Sequence, residues 1–214
     1  MVHVQAPAMG WVGLWLSTFG VIFAIVDPFG YVPIFLAMTA NDSEERRKQM
    51  VRRACLASFA LLAFFTFFGS PLLRFFGISI PALQISGGLI LLLIGFEMIK
   101  VLPIGEKLTP VEEREGRDKD DISIIPLAIP MLSGPASIAS VIVLGTKTPT
   151  WMGYSAILVS IAATLAFTYL ILRSATRILR LVGITGLKVV TRIMGFLLCA
   201  MAIQFVINGW VAIR

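Results

Sequence analysis

Six apolar stretches, at about residues 12–37, 52–73, 80–102, 123–145, 151–172 and 189–213, occupy most of this chain. Each is at or above the ~20 residues that a helix needs to cross the hydrocarbon core of a bilayer. Water is absent there, so backbone donors and acceptors must pair within the segment, and helix is the form these stretches are expected to take. With 57% hydrophobic and 14% charged residues, the 214-residue chain reads as an all-α integral membrane protein with little length left for a soluble domain. The first stretch is preceded by no Lys or Arg and shows no small-residue cleavage site. It is expected to remain as the first membrane helix.

The basic residues give an orientation. Arg46, Arg47, Lys48, Arg52 and Arg53 separate stretches one and two; Lys100, Lys107, Arg114, Arg117 and Lys119 surround the connection from three to four; Arg173, Arg177, Arg180, Lys188 and Arg192 separate five and six. The alternate segments hold only Arg74, Lys147 and Arg214. By the positive-inside rule the three rich loops are cytoplasmic and both termini lie outside. The net charge of +6 therefore reports topology, and no nucleic-acid partner is expected for basic residues split among loops.

Two of the six stretches are interrupted. Asp27-Pro28-Phe29-Gly30-Tyr31-Val32-Pro33 and Pro130-Met131-Leu132-Ser133-Gly134-Pro135 carry prolines at the same spacing, offset by 102 residues. Proline lacks the N–H and clashes with the preceding turn, so Pro28, Pro33, Pro130 and Pro135 are expected to break helices one and four at mid-membrane. Paired breaks in the two halves of a membrane protein point to a transporter's solute site. A second match, Leu73-Arg74-Phe75-Phe76-Gly77-Ile78-Ser79 against Leu179-Arg180-Leu181-Val182-Gly183-Ile184-Thr185, is offset by 106. The chain therefore reads as three-helix repeats at 1–102 and 123–214, joined by a charged cytoplasmic linker at 103–122. Three is odd, so the second copy is inserted upside down, giving an inverted 3+3 repeat.

Asp27 is the acid at membrane depth; the other eleven sit in loops or, like Glu97, near a helix end. An unpaired charge at a helix centre costs roughly 2.5–3.5 kcal/mol on insertion scales, which makes Asp27 a candidate site residue and the candidate proton-coupling group. It is equally placed to cap the half-helix that follows. Gly30 and Gly134 allow close backbone approach. New half-helices are expected near Pro33 and Pro135, with N-terminal amides suited to a carboxylate. Ser133 can add its hydroxyl, and Tyr31 lies inside the first break. Gln84, Thr191 and Asn208 are candidates shared between interhelical bonding and solute contact. Ser160, Thr164 and Thr168 recur every four residues and read first as a packing face, as do Gly87, Gly88, Gly95 and Gly195. Cys55 and Cys199 fall in helices without metal-ligand spacing, and His3 is the sole histidine, so neither a metal site nor a cofactor is expected.

The first proline run with Ile34-Phe35, the Phe76-Gly77-Ile78-Ser79 turn with Ile85-Ser86-Gly87-Gly88, and Pro126-Leu127-Ala128-Ile129 running into the second proline motif resemble the MarC family of bacterial and archaeal inner-membrane proteins. That family includes the small neutral amino acid transporters called SnatA. Its members commonly carry Asn where this chain has Tyr31 and Gly where it has Ala136. The resemblance implies a six-helix inverted repeat that moves glycine, alanine and similar solutes, driven by protons, with Asp27, Gly30, Ser133 and Gly134 lining the site. Sodium coupling stays open, since freed carbonyls with Ser133 or Asn208 can hold a hard cation. No phosphate-binding G-x-x-x-x-G-K-[ST] loop is present, so direct ATP drive is not expected. The competing readings are an exporter or channel for another solute, drug efflux included, and an intramembrane enzyme with Asp27 as base. The enzyme reading lacks a second acid, a histidine or a paired nucleophile nearby.

Overall fold

The computed structural model describes residues 11–99 and 121–213, and these are helical almost throughout. In chain order they form α1 (Trp11–Val26), α2 (Tyr31–Met38), α3 (Glu44–Phe75), α4 (Ile80–Ile99), α5 (Ser123–Leu132), α6 (Pro135–Lys147), α7 (Trp151–Arg173) and α8 (Ala175–Val211). Four of them, α3, α4, α7 and α8, are each long and apolar enough to cross a membrane alone; α1 with α2 and α5 with α6 meet the same test as pairs bent by 45° and 55°. The expected linker through residue 120, the leader with His3, and Arg214 lie outside the described residues.

Local chemistry sets the ends of these elements. α3 begins eight residues before its apolar stretch, because the Ser43 side chain accepts from the Arg46 N–H at 3.3 Å and Glu44 and Glu45 occupy the positive first turn. It ends in a Schellman turn, with the Ile78 N–H donating to the Leu73 carbonyl and Gly77 N–H to Arg74, and Gly77 at φ 70°. The matching glycine of the second repeat motif, Gly183, has the same φ of 70° and divides α8 into 175–182 and 184–211. Both take a conformation that L-residues avoid.

α5 is the irregular element. Ile125 and Ile129 are extended, at φ −124°, ψ 119° and φ −127°, ψ 120°, and each precedes a proline, whose ring excludes the α region for its predecessor. Between them the turns are wide: the Leu127 N–H reaches the Ile122 carbonyl at 3.1 Å, and the Ser133 N–H the Ala128 carbonyl at 2.9 Å. The Ile129–Pro130 peptide is cis. The interruption expected at 130–135 thus reaches back to Ile125.

In the packing, α4 lies along α8, and the two backbones meet at Gly95 and Gly195, where an added Cβ would fall 3.0–3.1 Å from the opposite carbonyl oxygen. α1 packs on α7 and α5 on α3, while α3 packs on α7, α2 on α8 and α6 on α4. The main core gathers Val26, Val32, Phe35, Leu62, Leu132 and Ile161, all at 1% exposure or less. Cys55 and Cys199 are buried free thiols.

At the entry to α5, Asp121 accepts from the Ser123 N–H at 2.8 Å and from the Ser123 hydroxyl, and pairs with the Arg53 guanidinium of α3 at 2.5 Å. The Ser123 bond, followed by Arg53, holds the Asp121 carboxyl below the usual carboxylate range. A lowered pKa means that this stabilisation is present at neutral pH and is lost as pH falls through the lowered value. Both side chains are substantially exposed, so Arg53→Gln should lower stability by less than ~1 kcal/mol, and salt should shrink the difference. Thermal unfolding in detergent at low and high salt measures this. In the same assay Gly77→Ala and Gly183→Ala should each cost ~1–2 kcal/mol through backbone strain alone, since nothing crowds either position. Gly20→Ala, equally open but helical, should be neutral or stabilising.

Candidate functional site

The first break is built by Asp27 and Gly30. α1 closes with the Asp27 N–H on the Phe23 carbonyl at 3.0 Å, and the chain then turns with Asp27 at φ 39°, a left-handed conformation that Asp tolerates better than most residues. The Gly30 N–H donates to the Asp27 carbonyl at 3.2 Å, and the Val32 N–H to Phe29 at 3.2 Å. α2 therefore starts at Tyr31 rather than near Pro33, which sits in its first turn, where a missing N–H costs little. Gly30 is the N-cap of α2 and carries no side-chain cap bond, while in the turn just before it the Asp27 carboxylate accepts from the Gly30 N–H, the local capping role it was equally placed to take.

Asp27 is 6% exposed. Its Oδ2 lies against Gly30, where an added Cβ would collide with it, and its Oδ1 is buried without a hydrogen-bond partner. Gly30 is thus required by space, because the carboxylate occupies the place of a side chain.

The second break ends as the sequence indicates. The Ser133 hydroxyl, 1% exposed, donates to the Ala128 carbonyl at 2.8 Å. Gly134, extended at φ −72° and ψ 174°, is the N-cap of α6 without a side-chain bond, and Pro135 opens the helix. A Cβ on Gly134 would stand 2.5 Å from the Pro130 carbonyl oxygen, so the chain doubles back closely on itself. The first-turn amides of α6 keep the positive end of its dipole uncapped.

One side chain joins the two breaks: the Tyr31 hydroxyl donates to the Met131 carbonyl at 2.8 Å across 100 residues of sequence. Tyr31 is thus the residue of the first break seen to touch the run that contains Ser133 and Gly134. Asn208 lies near the end of α8, where its amide oxygen accepts from Gln204 at 2.8 Å and a Cβ on the adjoining Gly209 would meet Pro81 and Gln84. Gln84 is 3% exposed with Nε2 unpartnered, and Ser160, Thr164 and Thr168 are buried along α7.

Sequence reasoning missed the aromatic wall beside the first break. Phe29 meets Phe23 edge-on at 6.5 Å, and Phe167 of α7 lies 6.2 Å from Phe23 and 6.0 Å from Phe19. The signal was available in Trp15, Phe19 and Phe23, spaced four apart on one helix face.

Residues 12–213 match the family model described as MarC family integral membrane protein. The chain belongs to the MarC family. Its relatives in that family include UPF0056 membrane proteins of Methanocaldococcus jannaschii, 34% identical over 91% of this chain and 94% of the relative, and of Aquifex aeolicus, 34% identical over 91% and 95%. A third is YvbG of Bacillus subtilis, also a UPF0056 membrane protein, 34% identical over 88% of this chain and 90% of the relative. No solved structure matches. The family and the apolar helices together make this a multi-pass integral membrane protein.

In this MarC-family chain the two site glycines are crowded by different atoms, and this separates them experimentally. Gly30→Ala and Gly134→Ala should each destabilise by roughly 1–3 kcal/mol in detergent unfolding, as overpacked sites do. The Gly30 clash is with a side chain, so adding Asp27→Gly should restore most of the loss. The Gly134 clash is with backbone, so side-chain deletion at neighbouring positions should leave it uncorrected.

Proposed function

We propose that this chain is a secondary active transporter of small neutral amino acids, glycine and alanine, that holds its solute between the broken helices of two inverted halves and is driven by protons. The observation that carries the reading is the meeting of the two proline breaks through Tyr31 and Met131, beside a buried carboxylate oxygen without a partner. Irregular backbone survives in a membrane only when it is buried in protein or lines a cavity, and discontinuous helices of paired repeats are where transporters place their solutes.

The inverted repeat is supported by the pattern of packing. Exchanging the halves turns α1 on α7 into α5 on α3, and α2 on α8 into α6 on α4, and both members of each pair occur. α4 on α8 and α3 on α7 are their own counterparts under the same exchange. Gly77 and Gly183, matched in sequence, share their left-handed φ. In this reading each half contributes one bent and two continuous spans, the breaks lie near mid-membrane, and the basic loops face the cytoplasm of a cell bounded by this inner membrane.

A zwitterion suits the polarity of the site. Its carboxylate meets the uncapped first turn of α6, and its ammonium meets Asp27 Oδ1, which it neutralises. Asp27 is also the group through which a proton couples to movement, because it is the ionisable side chain at the breaks and its free oxygen can accept one. Small size follows from the closeness of the two breaks.

Purified protein in liposomes should accumulate glycine and alanine under an imposed pH gradient and not under a sodium gradient at equal pH. Asp27→Asn keeps a residue that tolerates positive φ, so it should fold; it should lose pH-driven accumulation at least ~10-fold, about 1.4 kcal/mol, while glycine binding stays measurable but weaker, its ammonium having lost the carboxylate charge. Full pH-driven uptake by folded Asp27→Asn would overturn the proton role. Sodium-driven uptake would move the coupling to the freed carbonyls.

A further inference from the structure

Building on the carrier reading, we propose that Tyr31 sets the upper size of the solute by standing as a fixed bar across the space between the two breaks. Tyr31 is the first residue of α2, so its backbone is held by a helix whose next buried residues, Val32 and Phe35, are 0% and 1% exposed. Its far end is held by the hydroxyl, which donates to the Met131 carbonyl at 2.8 Å. The acceptor lies in the stretch where pre-proline Ile129 and Gly134 are both extended, so this carbonyl belongs to backbone outside the regular helical ladder. A phenol ring fixed at both ends is a wall. Tyrosine has two side-chain torsions, so anchoring it costs little entropy and the wall is stiff.

The position of the ring decides which part of a solute it meets. Asp27 precedes Tyr31 by four residues and offers the unpartnered oxygen, while the uncapped start of α6 at Pro135 follows Met131 by four, so the Tyr31–Met131 bond ties together the two chain segments that carry these groups. A zwitterion that uses these two groups for its ammonium and carboxylate leaves its side chain as the part facing the bar. Hydrogen or methyl fits beside a ring held there; a branched or longer chain must displace it and break the Tyr31–Met131 bond. Tyr31 is therefore a specificity-determining residue, reading bulk rather than charge.

The test is inhibition of labelled glycine uptake in liposomes by unlabelled glycine, alanine, valine and leucine, for wild type, Tyr31→Phe and Tyr31→Ala. The readout is the ratio of half-inhibiting leucine to glycine, which does not depend on how much active protein each preparation holds. Wild type should disfavour leucine by ~10-fold or more, within the range a pocket achieves per excess methylene. Tyr31→Ala should shrink that ratio by ~10-fold. Tyr31→Phe, which keeps the ring and loses its anchor, should fall between. Tyr31→Leu replaces Tyr31→Ala if the alanine variant is not monodisperse, with the same reading. An unchanged ratio in folded Tyr31→Ala or Tyr31→Leu, alongside wild-type glycine uptake, overturns the size role and leaves the carrier reading intact. No glycine uptake by folded wild type overturns both.

Discussion

Backbone polar groups inside a bilayer must find partners within the protein, and four prolines at two places deny this chain the simplest solution. The structure answers by tying the breaks to each other and to their own turns. The Ser133 hydroxyl covers the Ala128 carbonyl, and the Tyr31 hydroxyl covers that of Met131. At the other end of α2, the Arg47 guanidinium donates to the Thr39 carbonyl from Nε at 2.9 Å and from Nη2 at 2.5 Å, and to Ala40 at 3.2 Å, caring for the last carbonyls and for the negative end of the dipole. An eight-residue helix would be marginal alone. Held by Arg47 at one end and Tyr31 at the other, it becomes a rigid strut whose positive end faces the site.

The two breaks are related by sequence but are not copies. Asp27 and Ile129 occupy equivalent places, each before the first proline of its motif, yet one is left-handed at φ 39° and the other extended at φ −127°. A proline forbids its predecessor the α region and leaves both alternatives open, so the side chain decides. The short polar chain of Asp permits positive φ, whereas β-branched Ile does not. One break consequently presents a carboxylate, and the other presents carbonyls and helix-start amides. On the carrier reading proposed above, a solute bearing both charges uses this difference, which perfect repetition would have erased.

Much of the fold was legible because apolar length and proline chemistry act locally. The apolar stretches reappear within helices, and the start of α6 at Pro135 and the turn at Gly77 were readable from residue type. But α8 starts at Ala175, fourteen residues before its stretch at 189, so the basic segment expected as a loop before it is largely helical. Where the sequence misled, the cause was an element that depends on neighbours. α3 runs far past its apolar portion because Ser43 caps a charged first turn, and α5 is irregular from Ile125 because two pre-proline residues four apart, Ile125 and Ile129, both precede the expected break at 130–135. Tyr31 could be seen in the break, but its contact with Met131 could not, since a bond across 100 residues leaves no local signature. Asn208 looked equivalent to the other polar candidates, and its bond to Gln204 one turn earlier on the same helix shows how its amide oxygen is satisfied.

Asp27 is set apart by what its neighbours in the same predicament can do. Among the described residues, buried unpartnered side-chain atoms occur at Trp15, Asp27, Ser58, Gln84 and Thr164. A hydroxyl in a helix has a remedy at hand, because rotation brings it to the carbonyl four residues earlier, as Thr66, Ser140 and Thr168 already do. Ser58 and Thr164 can follow them at small cost. An amide or indole N–H is neutral, and its loss is that of one hydrogen bond. An ionised carboxylate has no donor of its own, and none of the carbonyls freed by the breaks can serve it. Only something brought from outside satisfies Asp27 Oδ1: a proton, a cationic group, or water. A residue whose burial is completed by an arriving cation or proton makes the empty and loaded states differ in stability, and that difference is what a coupled carrier needs in order to move one and not the other.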